Sequence, residues 1–187
     1  KTTVGGSEIA AVIGKNARQG IERMAAEKAK MILGIATPWR TNEACAWGIL
    51  FEGVAKQIVS IELATRVTGD DICIRAIPGH RTSPDGYGVV HLDSDQRSVR
   101  LWTSDRPDGS RGKPAIVLFE FKAPFTRIPN GDIPPNYECQ VQSGLAVSPL
   151  ADLGLYVDCC FRRCAADQLA SDPPGAGYDL WYHGRDP

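Results

Sequence analysis

Glu120 and Lys122 stand at i and i+2 in the apolar run AIVLFEFK, residues 115–122. On a strand that spacing sends both side chains to one face. A charged pair at the end of such a run costs free energy to bury unless each group finds a partner. Taken alone, Glu-x-Lys is common and reads equally as an ion pair at a sheet end. Asp85 lies in Ser83-Pro84-Asp85-Gly86, a run of turn formers. An Asp at a strand end followed by Glu-x-Lys on the next core strand supplies two hard oxygen ligands and a cation. Mg²⁺ prefers carboxylates and water. The lysine can orient, or help deprotonate, a water attacking a phosphodiester. This is the working set for metal-assisted phosphodiester hydrolysis.

Two further groups fit around it. Glu52 lies in the middle of a long helical pattern, with Gly48 and Ile49 one turn earlier. It borders the apolar stripe, a place open to an ordinary rim glutamate as well. Gln140 lies in Tyr137-Glu138-Cys139-Gln140-Val141-Gln142, which also reads as a polar helix face.

The elements that must hold these residues follow from periodicity. Gly5-Gly6-Ser7 reads as a turn into a helix, with Ser7 as its N-cap. Ile9, Val12 and Ile13 form a helical stripe that Gly14 ends, and a charged segment runs over 18–31. Thr41 or Asn42 caps a long helix over 43–66. Its expected buried face is Trp47, Leu50, Phe51, Val54, Ile58, Ile61 and Ala64. Strands are expected over 72–77, 87–92, 98–103 and 155–161, around the central strand 115–122. A helix follows Pro134-Pro135, over 136–147. The Pro-, Gly- and Asp-rich tail from Ser171 is expected at an edge. Helices, then strands, then a helix and a strand suggest one α/β domain over 1–187 with a central sheet. The chain opens at Lys1 in a structured segment and reads as a piece of a longer one.

Composition narrows the classes. The chain has 187 residues, 43% hydrophobic and 23% charged, which suits one domain with a real core. No apolar run approaches the ~20 residues of a membrane span, so no membrane is expected. Twenty-one Lys and Arg against 22 Asp and Glu give a charge of −1. A protein that coats nucleic acid is usually strongly basic, so any DNA contact is expected through a local patch. The six cysteines lack a CxxC pair and nearby histidines, and read as free thiols rather than a metal cluster.

Together the motifs carry a resemblance. Gly-Gly-Ser-Glu (5–8), Gly-x-x-x-Glu ending at Glu52, Ser-Pro-Asp-Gly (83–86), Glu-Phe-Lys-Ala-Pro (120–124) and Ile-Pro-Pro-Asn-Tyr-Glu-Cys-Gln-Val-Gln (133–142) occur in order. The chain resembles the lambda exonuclease family, also called YqaJ-like viral recombinases or alkaline exonucleases, of the PD-(D/E)xK nuclease superfamily. The resemblance covers residues 5–163.

It implies a restriction-endonuclease-like core, a central mixed β-sheet flanked by helices. It implies Mg²⁺-dependent hydrolysis of one strand of linear duplex DNA from the 5′ end, with Mn²⁺ able to substitute, in recombination or end processing. Asp85, Glu120 and the backbone carbonyl of Phe121 would hold the metal, and Glu52 would assist directly or through water. Lys122 would position the nucleophilic water, and Gln140 would hold that water or the lysine. Ser7 matches a position that contacts the 5′-terminal phosphate, where a hydroxyl and free N–H groups at a helix start favour an anion. The implied partners are double-stranded DNA ends, a single-strand annealing protein, and further copies of the chain, since phage members form ring-shaped trimers. The implied location is intracellular, in the host nucleus or at a viral replication site. The stretch between Asp85 and Glu120 is longer than in phage members and holds an extra polar hairpin, an insertion over 93–113, which points towards large DNA viruses. Two other functions use the same residues: a repair or restriction endonuclease on this fold, and a DNA-end-binding scaffold without catalysis.

Overall fold

The computed structural model of the chain describes residues 3–36, 40–92 and 113–163, and the backbone of 180–184. The expected strand over 98–103, nearly all of the 93–113 insertion, Cys164 and most of the tail lie outside the described residues.

A short strand β1 (Val4–Gly5) leads into a 3-10 turn (Gly6–Glu8), helix α1 (Ile9–Val12) and helix α2 (Ile21–Ile32). Helix α3 (Glu43–Glu62) follows, then β2 (His80–Arg81), β3 (Gly86–Leu92) and β4 (Lys113–Lys122). Helix α4 (Pro135–Val147), β5 (Leu153–Asp158) and β6 (Leu180–Gly184) complete the order. The four-stranded sheet runs β3-β4-β5-β6 and is mixed. β3 and β4 are antiparallel, β4 and β5 parallel, and β5 and β6 antiparallel. The parallel pair needs a crossover, which α4 supplies. β1 and β2 form a separate parallel pair.

The α/β class, the central place of AIVLFEFK and the helices flanking the sheet agree with the sequence. β4 alternates between two cores. Val117, Phe119 and Phe121 pack with Ala55, Val59 and Leu63 on the α3 side. Leu118 packs with Val141, Leu145 and Tyr156 on the α4 side. The period of two therefore turns Glu120 and Lys122 towards α4.

At Gly154 the side chains of α4 press directly on the sheet. A Cβ there would collide with Cγ1 of Val141 and lie 3.2 Å from Cδ1 of Leu145. Gly154→Ala is expected to cost about 1–3 kcal/mol by overpacking, read as a lowered urea midpoint with an unchanged slope.

Four expectations are corrected. The buried face of α3 is Ala55 and Val59, continued by Leu63, flanked by Trp47 and Phe51; Leu50 and Ile61 are 67% and 76% exposed. Small Ala55 and compact Val59 let the helix sit close on the sheet, whereas Leu50 and Ile61 point away. Residues 72–77 form no strand and make only the bridge Ile74–Thr82. Ser7 is not a cap: Gly5 is the N-cap of the 3-10 turn, and the Glu8 carboxylate accepts from Gly5 N at 2.6 Å. Finally, α3 has the length and apolarity of a membrane-spanning helix. Its mid-helix Glu52 and Lys56 form an ion pair, which a lipid span carries rarely, and Ala55 and Val59 pack on the sheet. The Asn42 cap is as expected, its side chain accepting from Cys45 N at 2.8 Å. The five described cysteines are free.

Candidate active site

Asp85 precedes β3, and its position is fixed by β4. Its backbone N donates to Phe119 O at 3.1 Å, and its Oδ2 accepts from Phe121 N at 2.7 Å. The turn thus delivers a carboxylate to the end of β4 where Glu120 and Lys122 emerge. Glu120 is 2% exposed. Its carboxylate is bound by Lys122 Nζ. The same ammonium donates to Phe121 O at 3.0 Å and lies 3.7 Å from Asp85 Oδ2. Three oxygens from Asp85, Glu120 and Phe121 therefore converge on one cation.

The electrostatics follow from burial. Burial pushes the Glu120 carboxyl up to about 7, with Lys122 opposing and the Asp85 charge adding to the rise. Burial also raises Asp85, against Lys122 and the Phe121 N–H. Burial works against the Lys122 charge, but Glu120 and Asp85 outweigh it and hold the ammonium above its ordinary range.

Glu52 stands at the margin. Its charge contributes to the rise at Asp85 and Glu120, but its own carboxylate is bound by Lys56 at 2.7 Å. Lys56 also meets Asp70 at 3.2 Å. Among the described residues no three His, Cys, Asp or Glu side chains form a metal-binding group. The acidic side chains at the focus are thus two, with a backbone carbonyl as third oxygen. That donor set, all hard oxygens and already gathered around an ammonium, fits a hard divalent cation such as Mg²⁺ or Mn²⁺.

Gln140 is half-buried on α4, one turn beyond Tyr137, and its side chain makes no hydrogen bond to the described residues. Ser7 is exposed on the 3-10 turn, which packs on α4. Ser143 on the same helix bonds His80 Nε2 at 2.9 Å and ties β2 to α4. The structure thus joins Asp85, Glu120, Phe121 and Lys122 directly, brings the Glu52 charge to their margin, and shows no contact of Gln140 or Ser7 with them among the described residues. Sequence reasoning missed Lys56, although its i,i+4 spacing from Glu52 was a visible signal. It also missed Tyr137, whose ring centroid is 5.2 Å from Lys122 Nζ.

Comparisons with known proteins agree with the fold. Protein D345L of African swine fever virus (strain Badajoz 1971 Vero-adapted) is 37% identical over 179 residues, 92% of this chain and 50% of its own length. Its counterpart from isolate Tick/Malawi/Lil 20-1/1983 is 37% identical over 174 residues, 90% of this chain and 49% of its own. The chain spans about half the length of the curated relatives it matches. Among solved structures, the alkaline exonuclease LHK-Exo from Laribacter hongkongensis superimposes with a TM-score of 0.65 at 23% identity, over 98% of this chain and 78% of that one. A phage-related exonuclease from Haemophilus somnus 129PT gives 0.62 at 13% identity, over 98% and 85%. At these identities the likeness is one of fold, the restriction-endonuclease-like core that the motifs implied. The model of the YqaJ-like viral recombinase domain matches residues 1–151, most of the chain. By that match, the chain belongs to the YqaJ-like viral recombinase domain family.

Proposed function

We infer that the chain is a metal-dependent deoxyribonuclease, a 5′→3′ exonuclease that degrades one strand of linear double-stranded DNA in recombination or end processing. The observation that carries this reading is the convergence of Asp85, Glu120 and the Phe121 carbonyl on Lys122 Nζ. The exonuclease names of its structural neighbours and the recombinase name of its family support the choice of DNA as substrate.

Asp85 Oδ2, Glu120 Oε1 and Phe121 O would hold Mg²⁺, with Mn²⁺ as substitute. Such an ion, when bound, supplies Lewis acidity to the phosphodiester and acidifies a bound water. Lys122 then orients the attacking water through its ammonium and stabilises charge gathering on the phosphate. Glu52 assists at the edge of the site, directly or through water, beside Lys56. Gln140 holds the water or the lysine from α4. Ser7 offers its hydroxyl to the 5′-terminal phosphate. The partners in this reading are duplex ends, a single-strand annealing protein and further copies of the chain in a trimer. The setting is the interior of an infected cell, in the nucleus or at a viral replication site. One domain over 1–187 carries the activity, with 93–113 as an insertion.

Linear 5′-phosphorylated duplex, with and without Mg²⁺, beside closed circular DNA and a Lys122→Ala control, tests the reading. Mg²⁺-dependent release of mononucleotides from the linear DNA, with the circle intact and the control inert, is expected. Cutting of the circle identifies an endonuclease instead. Tight binding to ends without hydrolysis identifies a scaffold.

A pH effect follows from Glu120. Its folded carboxyl holds a proton up to about 7, above its ordinary value of 4.5. A group raised in this way stabilises the fold below about 4.5 and loses that contribution as pH rises through about 7. The proton must also leave before a cation binds the same oxygens. The rise in melting temperature on adding Mg²⁺ is therefore expected to grow from pH 6 to pH 8. A rise that is equal at both, or larger at pH 6, counts against Glu120 as a ligand.

A further inference from the structure

Tyr137 stands in the first turn of α4, three residues before Gln140. Its ring lies 5.2 Å from Lys122 Nζ, within reach of the attraction between a cation and an aromatic face. The ring is held from behind. It stacks on Tyr156 with centroids 5.6 Å apart and planes at 23°. Tyr156 is buried, and its hydroxyl accepts from Arg127 Nη2 at 3.1 Å. The Arg127 guanidinium grips both carboxylate oxygens of Asp158, at 2.5 and 2.9 Å, and lies 6.0 Å from the Tyr137 ring. Strand register accounts for the arrangement. Glu120 lies opposite Tyr156 and Lys122 opposite Asp158, so the site and its backing share one face of the sheet.

The Lys122 ammonium now occupies the three oxygens that a divalent cation would take. Two cations cannot share them at contact distance without strong repulsion. An ammonium that gives up these oxygens in a half-buried place needs another contact. Among the described residues, the Tyr137 ring is the aromatic face within 6 Å of it. We propose that Tyr137 is a positioning residue, whose ring retains the Lys122 ammonium beside the oxygens of Asp85, Glu120 and Phe121 when a divalent cation takes them. The inference rests on the metal-dependent reading above and adds the residue that keeps lysine and metal side by side.

Three variants test it: Tyr137→Phe, Tyr137→Leu, and pentafluorophenylalanine at position 137, which keeps the ring's shape and inverts its charge distribution. Two measurements are made. One is the rate of reductive methylation of Lys122 by formaldehyde and borohydride, read by peptide mass, with and without Mg²⁺ alone. The other is kcat and KM on linear duplex. Without metal all four proteins are expected to label slowly, because the oxygens hold the ammonium. With Mg²⁺ the wild type and the Phe variant stay slow, whereas the Leu and pentafluoro proteins label about tenfold faster. Their kcat falls about tenfold with KM within twofold, and Phe restores it. Equal labelling of all four proteins in Mg²⁺, or an unchanged kcat in the Leu protein, overturns the proposal. If Tyr137→Leu does not fold, the pentafluoro protein decides. If the wild type hydrolyses no DNA, the nuclease reading fails, and the labelling in Mg²⁺ still judges Tyr137.

Discussion

Replacing Lys122 with Ala is expected to abolish hydrolysis, lowering the rate of mononucleotide release by about 10³-fold. The ammonium is the group at the focus of Asp85, Glu120 and the Phe121 carbonyl. Among the described residues the nearby cations are already engaged, Lys56 by Glu52 and Asp70 and Arg127 by Asp158. Stability is expected to respond differently. Losing one partner of a buried ion pair costs about 3–5 kcal/mol when the other charge is stranded. Here the stranded group has an escape. Glu120 already holds its proton up to about 7, and without Lys122 it holds it further. Lys122→Ala should therefore fold near pH 6, lose stability towards pH 8, and regain it on adding Mg²⁺. Thermal melts at both pH values beside the activity assay separate the effects. A variant with more than a tenth of wild-type activity would remove Lys122 from the mechanism.

What could be read from the chain, and what could not, divides along the range of the interactions. Glu120 and Lys122 share a face because a strand has period two, and Asp85 stands at a turn because its neighbours are turn formers; both are local rules, and both hold in the fold. The Asn42 cap is equally local. The buried face of α3 was misread because that helix carries apolar residues on more than one side. Periodicity cannot choose between Ile61, which is exposed, and Val59, which is buried, without the sheet. The stretch 72–77 has strand-like residues, but its backbone finds a β-bridge partner only at Ile74. β1 and β2, two residues each, leave no pattern to find. The ring of Tyr137 meets Lys122 through the β4–β5 register and the seat of α4, neither of which exists until the sheet is built.

Asp85 is expected to separate catalysis from folding through two substitutions. Its carboxylate has two tasks. One oxygen accepts from Phe121 N at 2.7 Å and so pins the turn to β4. Its charge also faces Lys122 and Glu120 across the site. Asp85→Asn keeps an acceptor for the Phe121 N–H and removes the charge. It should melt within a few degrees of the wild type, lose the Mg²⁺-induced stabilisation, and lose about 10³-fold in rate, the scale of one charged group in a phosphoryl site. Asp85→Ala should lose the same activity and, with the Phe121 N–H left without its acceptor, about 1–3 kcal/mol of stability besides. For a domain of this size that is a melting temperature lower by about 2–10 °C. The Asn variant carries a second signature. The Asp85 charge is one cause of the rise at Glu120, so its removal should let Glu120 ionise at lower pH. Metal-free stability of Asp85→Asn should then begin to fall at a lower pH than in the wild type. If Asp85→Asn hydrolyses linear duplex at the wild-type rate, the turn is a structural clamp and the metal-binding pair reduces to Glu120 and the Phe121 carbonyl. That set is too small to hold a divalent cation, and the nuclease reading would then need another carboxylate, with Glu52 the acidic group at the margin of the site.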